Sequence, residues 1–399
     1  MAPPVQLNVE TASRRVVPFA FLTVFLDLLG FGIILPLLPF YVGQMGGSAE
    51  TLGILLGCFS LTQLLATPIL GRISDRFGRR RVVLVSLAGN ALSMVAFALA
   101  SKLVLLPLLF ASRIVAGATA GNISACQAAI SDVTRPEERP TAMGRLGAGI
   151  NLGVTLGPLL ASALSGVGIW APPLAAAALA FVDFVSAFFL MPETLHLRPE
   201  PAAPPPSKTE SAMRSLARWP VLSVLFMYFL TFLCLTNLQV ALALLAQLRF
   251  SWGPREVAWL FTIFAAASFV VQAVLIGRLA RRVGEIALVV SGALCTALGM
   301  LLIGQARQPA VLVAGVAFFG MGFGATTPVL TSLGSQVARA DARGFVLGIL
   351  QSSGGLARTF GPLLGGVLFQ RVAPNAPFLL GVVAALVSIG LALTHRAKG

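Results

Sequence analysis

Residues 71–81 read GRISDRFGRRR, and a related stretch, GRLARRVG, follows at residues 277–284. Each stretch ends a long apolar run, and another apolar run begins directly after it. Short basic loops between apolar runs are typical of membrane proteins, because Lys and Arg in such loops stay on the cytoplasmic face. The recurrence at a distance of about 205 residues predicts two related halves.

The composition of the chain also indicates a membrane protein. Of 399 residues, 57% are hydrophobic and 11% are charged, whereas a soluble domain has about 25% charged residues. The apolar runs reach the roughly 20 residues that a helix needs to cross a bilayer, and lipid requires helices or a closed barrel. The alternating pattern of a barrel is absent. The net charge of +14 lies in basic loops, so we expect the lipid bilayer as a partner and no nucleic acid.

The apolar runs predict an all-α membrane protein with twelve transmembrane helices in two pseudo-symmetric six-helix bundles. The bundles are expected at residues 18–191 and 220–394. A polar, Pro-rich linker at 192–219 joins them, and short tails lie at 1–17 and 395–399. The predicted spans are 18–42, 50–71, 82–100, 104–131, 140–165, 170–191, 220–248, 256–277, 284–304, 309–338, 343–370 and 375–394.

Basic residues predict the orientation of these spans. Of the 28 Lys and Arg residues, 21 fall on the side of both termini, five fall on the opposite side, and Arg113 and Arg358 lie within spans. This distribution predicts a multi-pass protein of the inner (cytoplasmic) membrane with both termini in the cytoplasm. The polar start and the full-length first span also predict that the first helix is not a cleaved signal.

A second repeat supports two parallel halves. Eight residues between 139 and 160 recur 204 positions later, among them Arg139 as Arg343, Gly157 as Gly361 and Pro158 as Pro362. Transporters with parallel repeats bind substrate near the bilayer midplane and expose it to each side in turn.

Other function classes lack the residues that they need. The four cysteines lie within spans and the two histidines in polar segments, so we expect no metal site. No phosphate-binding GxxxxGK[ST] loop occurs, and no nucleophile is paired with a base, so neither ATP-driven transport nor an enzyme is expected. We expect a monomer without a cofactor.

These motifs together resemble the major facilitator superfamily, specifically its drug:proton antiporter branch. Residues 71–81 are very close to its signature between the second and third helices, and residues 26–39 look like the first helix of tetracycline exporters. Arg113 with Gly117 resembles the fourth-helix signature. The fifth-helix antiporter motif is matched at residues 153–158, which contain Gly153, Gly157 and Pro158.

The resemblance implies roles for several of these residues. In such proteins a cytoplasmic latch locks the two bundles in the outward-facing state, and the fifth-helix motif serves antiport. The eleventh-helix repeat here comprises Arg358, Gly361 and Pro362. The alternatives are that the latch charges only set topology and that the glycines and prolines only serve helix packing. The residues assigned to the latch are Gly71, Asp75, Arg76, Gly78, Arg79 and Asp132.

Ionisable residues within spans are costly and usually functional. We expect Asp27 to bind the proton or a cationic substrate, with Arg113 as its partner; a structural ion pair between them is the alternative. Asp183 either makes a local hydrogen bond or takes part in transport. Arg358 either binds an anionic group or supports packing. The third predicted span carries no acid where tetracycline exporters have one, so a proton relay would centre on Asp27.

The function expected is a secondary transporter that couples a proton gradient to efflux of lipophilic or cationic small molecules by alternating access. A uniporter or proton symporter of a metabolite is the alternative, and a receptor or enzyme is the alternative from another class. Polar and aromatic residues within spans are expected to line the substrate cavity. They are Phe31, Gln63, Asn122, Gln127, Asn151, Phe232, Asn237, Gln239, Gln336 and Gln351.

Overall fold

The structure is a computed structural model that describes residues 9–135, 137–197, 218–338 and 342–396. Most of the predicted linker and the outermost parts of both predicted tails lie outside these described residues. The side chains of His395 and Arg396 also lie outside them.

Six long helices form in the first half, because each apolar run satisfies its own backbone hydrogen bonds. The bounds differ from the predicted spans mainly where a helix continues into a polar loop. The helices are α1 (Val9–Ile34, continued by Leu38–Gln44), α2 (Ala49–Phe77), α3 (Arg79–Leu103), α4 (Leu106–Ala118 and Asn122–Val133), α5 (Arg139–Ser165) and α6 (Ala171–Leu190).

Six more helices form in the second half. Several begin with proline in the first turn, where a missing N–H costs nothing. They are α7 (Trp219–Phe250), α8 (Pro254–Val270, continued by Ile276–Val283), α9 (Glu285–Gln305), α10 (Pro309–Val337), α11 (Arg343–Val367) and α12 (Ala376–Arg396).

Four of the twelve helices contain or end in irregular turns. A 3₁₀ turn at Leu35–Leu37 interrupts α1 beside Pro36, and a turn ending at Gly121 divides α4. Wider π turns occupy Val271–Leu275 within α8 and Leu368–Val372 at the end of α11. The proline in the break of α1 and the glycine in the break of α4 are tolerated in membrane helices when neighbouring groups satisfy the free backbone N–H and C=O groups.

The described helices have the dimensions and surface of membrane spans. Eleven of them are long and apolar enough to cross a bilayer. The helix outside that set is α11, which has 25 residues but carries Arg358 and many glycines. Large apolar side chains such as Leu92, Phe189 and Val383 are exposed, as expected for surfaces that face lipid.

Helix packing confirms the internal repeat. In the first half α1 packs on α5 and α6, and α3 packs on α4 and α6; in the second half α7 packs on α11 and α12, and α9 packs on α10 and α12. Each of these four pairs in the first half therefore has its counterpart six helices later. The described residues form an all-helical protein with no strand, and the predicted fold class is confirmed.

The structure divides into two compact units whose bounds differ from the first and second halves of the chain. One unit contains the described residues of Met1–Leu35 and Thr62–Ala203, and the other contains those of Pro36–Leu61 and Pro204–Gly399. The start of α2 belongs to the second unit, in which the Glu50 carboxylate pairs with Arg371 and accepts a 3.1 Å hydrogen bond from Nη2. This carboxylate holds the pKa of the exposed Arg371 above its usual range.

Candidate functional site

A polar cluster surrounds Asp27 in the first unit. Asn90 Nδ2 donates to Asp27 Oδ1 over 2.6 Å, and Asn122 Nδ2 donates to Asp27 Oδ2 over 2.9 Å. The two amides come from α3 and α4, and the acid comes from α1. Both carboxylate oxygens are therefore held by donors on neighbouring helices, so that the position of the acid depends on how these helices pack.

Asp183, on α6, lies close to this cluster. Its side chain is 1% exposed, and neither of its carboxylate oxygens has a hydrogen-bond partner in the described part of the chain. It lies beside Thr23 and within electrostatic range of Asp27. Of the two alternatives for Asp183, the local hydrogen bond is thus not formed with good geometry, and a second acid lies within electrostatic range of the first.

Arg113 occupies a separate position from Asp27. Its guanidinium lies 4.9 Å from the centre of the Phe97 ring, and Nη2 approaches the Met94 sulfur at 3.8 Å. Within the described residues the structural ion pair between Arg113 and Asp27, which was the alternative interpretation, is not formed. Arg113 is only 2% exposed, so a ring face and a polarizable sulfur take the place of a carboxylate partner.

The predicted latch is centred on Arg79. Its Nε donates to Asp132 Oδ2 over 2.9 Å, and its Nη1 lies 2.7 Å from Asp75 Oδ1. The side chains of Arg79 and Asp132 are both 5% exposed, whereas that of Asp75 is 56% exposed. Thr194 adds a hydroxyl that donates to Asp132 over 3.3 Å. The buried pair is therefore Arg79 with Asp132, and Asp75 adds an exposed contact.

Glu193 joins this site although it falls at the start of the predicted linker. Its carboxylate accepts the backbone N–H of Arg79 over 2.9 Å and that of Arg80 over 3.3 Å. An acid at the first turn of α3 satisfies free donors and suits the helix dipole. Gly78 has φ +108°, and a Cβ there would meet the Glu193 carboxylate. The only sequence signal is an acid directly after the sixth span.

The other latch residues lie on the surface of the same turn. The exposed guanidinium of Arg76 lies 5.3 Å from the centre of the Phe77 ring, and a Cβ on Gly71 would meet open space. A cavity of about 580 Å³ opens here. Its lining includes Arg76, Arg80, Arg81, Glu193 and His196.

The second copy of the turn keeps the backbone and changes the chemistry. Gly284 has φ +80° and precedes α9 as Gly78 precedes α3. Where the first half has Arg79 and Asp132, the second half has Glu285 and Gln336. The Gln336 amide donates a 3.0 Å hydrogen bond to the Glu285 carboxylate. Among the described residues the buried ion pair is therefore formed in the first copy and not at the matching positions of the second.

The repeated glycines serve close helix contacts. A Cβ on Gly157 would lie 2.6 Å from the Gly32 backbone, and one on Gly153 would lie 2.7 Å from the Phe25 carbonyl. In the second half a Cβ on Gly361 would collide with the Thr236 hydroxyl. Pro158 and Pro362 lie within α5 and α11.

Arg358 lies in the second unit against an aromatic side chain. Its guanidinium is 4.9 Å from the centre of the Phe232 ring. The Tyr228 ring lies 4.8 Å from that of Phe232, and the Phe323 ring lies 5.7 Å from it. Tyr228 in turn donates to Gln351 over 3.4 Å.

The predicted cavity residues are spread over both halves. Asn122 and Phe232 belong to the Asp27 and Arg358 sites described above. Six other predicted cavity residues have side chains that are partly buried or exposed, namely Phe31, Gln63, Gln127, Asn151, Gln239 and Gln351.

Two predicted cavity residues lie elsewhere. Asn237 is 0% exposed and donates to the Leu233 carbonyl within its own helix, so it is a packing residue beside Gly365. Gln336 is exposed near the end of α10 and bonds Glu285. Periodicity shows that both are within spans but not what they contact.

The twelve long helices of the described residues lie in two repeated halves with charged side chains buried within spans, and this architecture is that of a polytopic membrane transporter. A sequence model of the Major Facilitator Superfamily matches residues 20–226 and again residues 224–398, once for each half. The chain belongs to the Major Facilitator Superfamily and is not an enzyme.

Individual relatives cover almost the whole chain. Multidrug resistance protein 2 of Bacillus subtilis (strain 168) is 29% identical over 387 residues, 94% of each chain. Tetracycline resistance protein, class D, of Salmonella ordonez is 30% identical over 356 residues, 88% of this chain and 89% of its own. The crystal structure of the human organic anion transporter MFSD10 (TETRAN) superposes with a TM-score of 0.68 at 27% identity, over 98% of this chain and 100% of its own.

Proposed function

We propose that this chain is a proton-coupled exporter of lipophilic small molecules that works by alternating access in the cytoplasmic membrane. The observation that carries the proposal is the acid Asp27, held by Asn90 and Asn122 from two other helices. Protonation would weaken the bonds to both amides, and this would change how α1, α3 and α4 pack. Relatives named for multidrug and tetracycline resistance support efflux.

The latch fits the same cycle. We assign Arg79 and Asp132 to the cytoplasmic gate, with the loop between α2 and α3 on the cytoplasmic side together with both termini. The excess of basic residues on that side supports this orientation. Fusions of a reporter enzyme to each terminus test it, and a terminus found outside the cytoplasm contradicts it.

The test of coupling uses inverted membrane vesicles that are acidified inside. Ethidium, tetracycline and 2-naphthoate serve as a cation, a largely zwitterionic drug and an anion, and collapse of the pH gradient on addition of a probe is recorded. The wild type is expected to release protons in step with uptake of at least one probe. A uniporter would move the probe without proton release.

Asp27→Asn is the decisive variant, because it keeps the shape of the side chain and removes the titrating group. It is expected to abolish uphill transport while downhill exchange continues. Asp27→Glu, the matched control, keeps the acid and should retain coupling. Uphill, proton-coupled efflux by the Asn variant would rule out the proposed role of Asp27.

A further inference from the structure

Among the described residues of the second half, Arg358 is the one charged side chain near the middle of a predicted span for which no hydrogen bond or ion pair is found. Within the described residues its guanidinium makes no hydrogen bond and no ion pair; its neighbours are the Phe232 ring and the Tyr228 side chain, which is within electrostatic range. A guanidinium has five N–H donors in a planar fork. Because a charged group within a membrane is costly, donors left open there call for an anion.

The second half supplies no acid for this purpose. Glu256 is engaged at the first turn of α8 by the Gly253 N–H, and Glu285 is engaged at the first turn of α9. The only other acid between residues 220 and 394, Asp341, lies outside the described residues and outside the predicted spans. In the described part of the second half, therefore, no carboxylate neutralises Arg358.

The repeat shows that this kind of helix pair can pack without an arginine. The equivalent residue 204 positions earlier is Val154, and α5 packs on α1 there as α11 packs on α7. Arg113 provides a contrast, because it is 2% exposed and shielded by its neighbours. Arg358 is only partly buried, so part of its side chain lies open beside the helix pair.

The aromatic neighbours hold Arg358 in place. Phe232 packs between Tyr228 and Phe323, at 4.8 and 5.7 Å between ring centres. Gly354 lies one turn before Arg358 and lets the Tyr228 ring approach α11. A Cβ at position 354 would lie 2.7 Å from that ring. A guanidinium fixed on a ring face presents its edge in one direction, which suits bidentate contact with a carboxylate or sulfonate.

We propose that Arg358 binds the anionic group of the substrate, and that this transporter therefore carries lipophilic organic anions in preference to cations. The inference rests on the proposed function, since it takes for granted that a small organic molecule is transported. It concerns charge selectivity at equilibrium and is independent of proton coupling.

The test is equilibrium binding to the purified full-length chain in detergent without a pH gradient. Three aromatic scaffolds are used, namely naphthalene, biphenyl and indole, each as the carboxylate, the neutral amide and the methylammonium derivative. The wild type is expected to bind the carboxylates about 10- to 100-fold more tightly than the amides, as a charged hydrogen bond implies. Arg358→Gln should remove this preference and leave amide binding unchanged, and Arg358→Lys should restore part of it.

Two results overturn the inference. One is a wild type that binds no carboxylate, or binds carboxylates no better than amides, on all three scaffolds. The other is an Arg358→Gln variant that weakens carboxylate and amide equally, which a structural role predicts. Charge selectivity without proton-coupled transport would refute the proposed function alone, and coupled transport without charge selectivity would refute this inference alone.

Discussion

Replacement of Arg79 by glutamine tests whether the latch is a buried ion pair. Arg79 has two acidic partners, Asp132 at 5% exposure and Asp75 at 56% exposure. An exposed ion pair contributes about 0–1 kcal/mol, whereas removal of one partner of a buried pair costs about 3–5 kcal/mol, because the other charge stays buried. Arg79→Gln should therefore lower the free energy of unfolding by about 3–5 kcal/mol, and Asp75→Asn by less than about 1 kcal/mol.

The assay is equilibrium unfolding of the purified protein in mixed micelles with increasing SDS. Asp132→Asn and the double variant with Arg79→Gln complete a double-mutant cycle. The double variant should be more stable than the sum of the single losses predicts, since no uncompensated charge remains. Glu285→Gln, at the repeated position in the second half, is the matched control and should change stability by less than about 1 kcal/mol. A coupling energy near zero, or equal losses for Arg79→Gln and Glu285→Gln, would refute the reasoning.

Three further predictions concern backbone contacts, all measured by the same unfolding assay. Gly157→Ala should lower the free energy of unfolding by about 1–3 kcal/mol because the new Cβ meets the backbone of α1. Gly147→Ala in the same helix places its Cβ in open space and should be neutral or stabilising. Equal effects of the two substitutions would contradict the close contact at Gly157. Glu193→Ala should cost about 1 kcal/mol through loss of the cap and should speed amide exchange in the first turn of α3, and unchanged exchange would count against it. Gly78→Ala should destabilise the protein more than Gly284→Ala. Both variants carry positive-φ strain of about 1–3 kcal/mol, but only the new Cβ at position 78 also meets a carboxylate. A larger loss of stability for Gly284→Ala than for Gly78→Ala would exclude that contact.

The positions of the helices could be read from the sequence to within a few residues in most cases. A span at 82–100 was predicted and α3 occupies Arg79–Leu103; a span at 309–338 was predicted and α10 occupies Pro309–Val337. The reason is that lipid demands helical runs of a minimum length, so run length alone locates them. The largest difference is α1, which begins at Val9 rather than residue 18, because a helix can continue beyond the apolar run into a polar segment.

The partners of the buried charges could not be read in this way. Asp27 is held by amides 63 and 95 residues away, and the predicted neighbour Arg113 lies on an aromatic ring instead. Glu193 was assigned to a linker, yet it caps α3 from 114 residues away. Helical periodicity indicates which face of a helix a residue occupies, but it does not indicate which helix packs against that face.

The sequence by itself determined the membrane class, the twelve spans and the two repeated halves, because hydrophobic run length and repeated motifs are properties of the chain alone. Only the tertiary structure decided that Arg79 pairs with Asp132 in a buried contact, that Asp183 lies within electrostatic range of Asp27, and that no ion-pair partner meets Arg358 in the described part of its own half. Those outcomes depend on burial and on distances between helices far apart in the chain. In a medium of low dielectric constant, burial and distance set the energy of a charge.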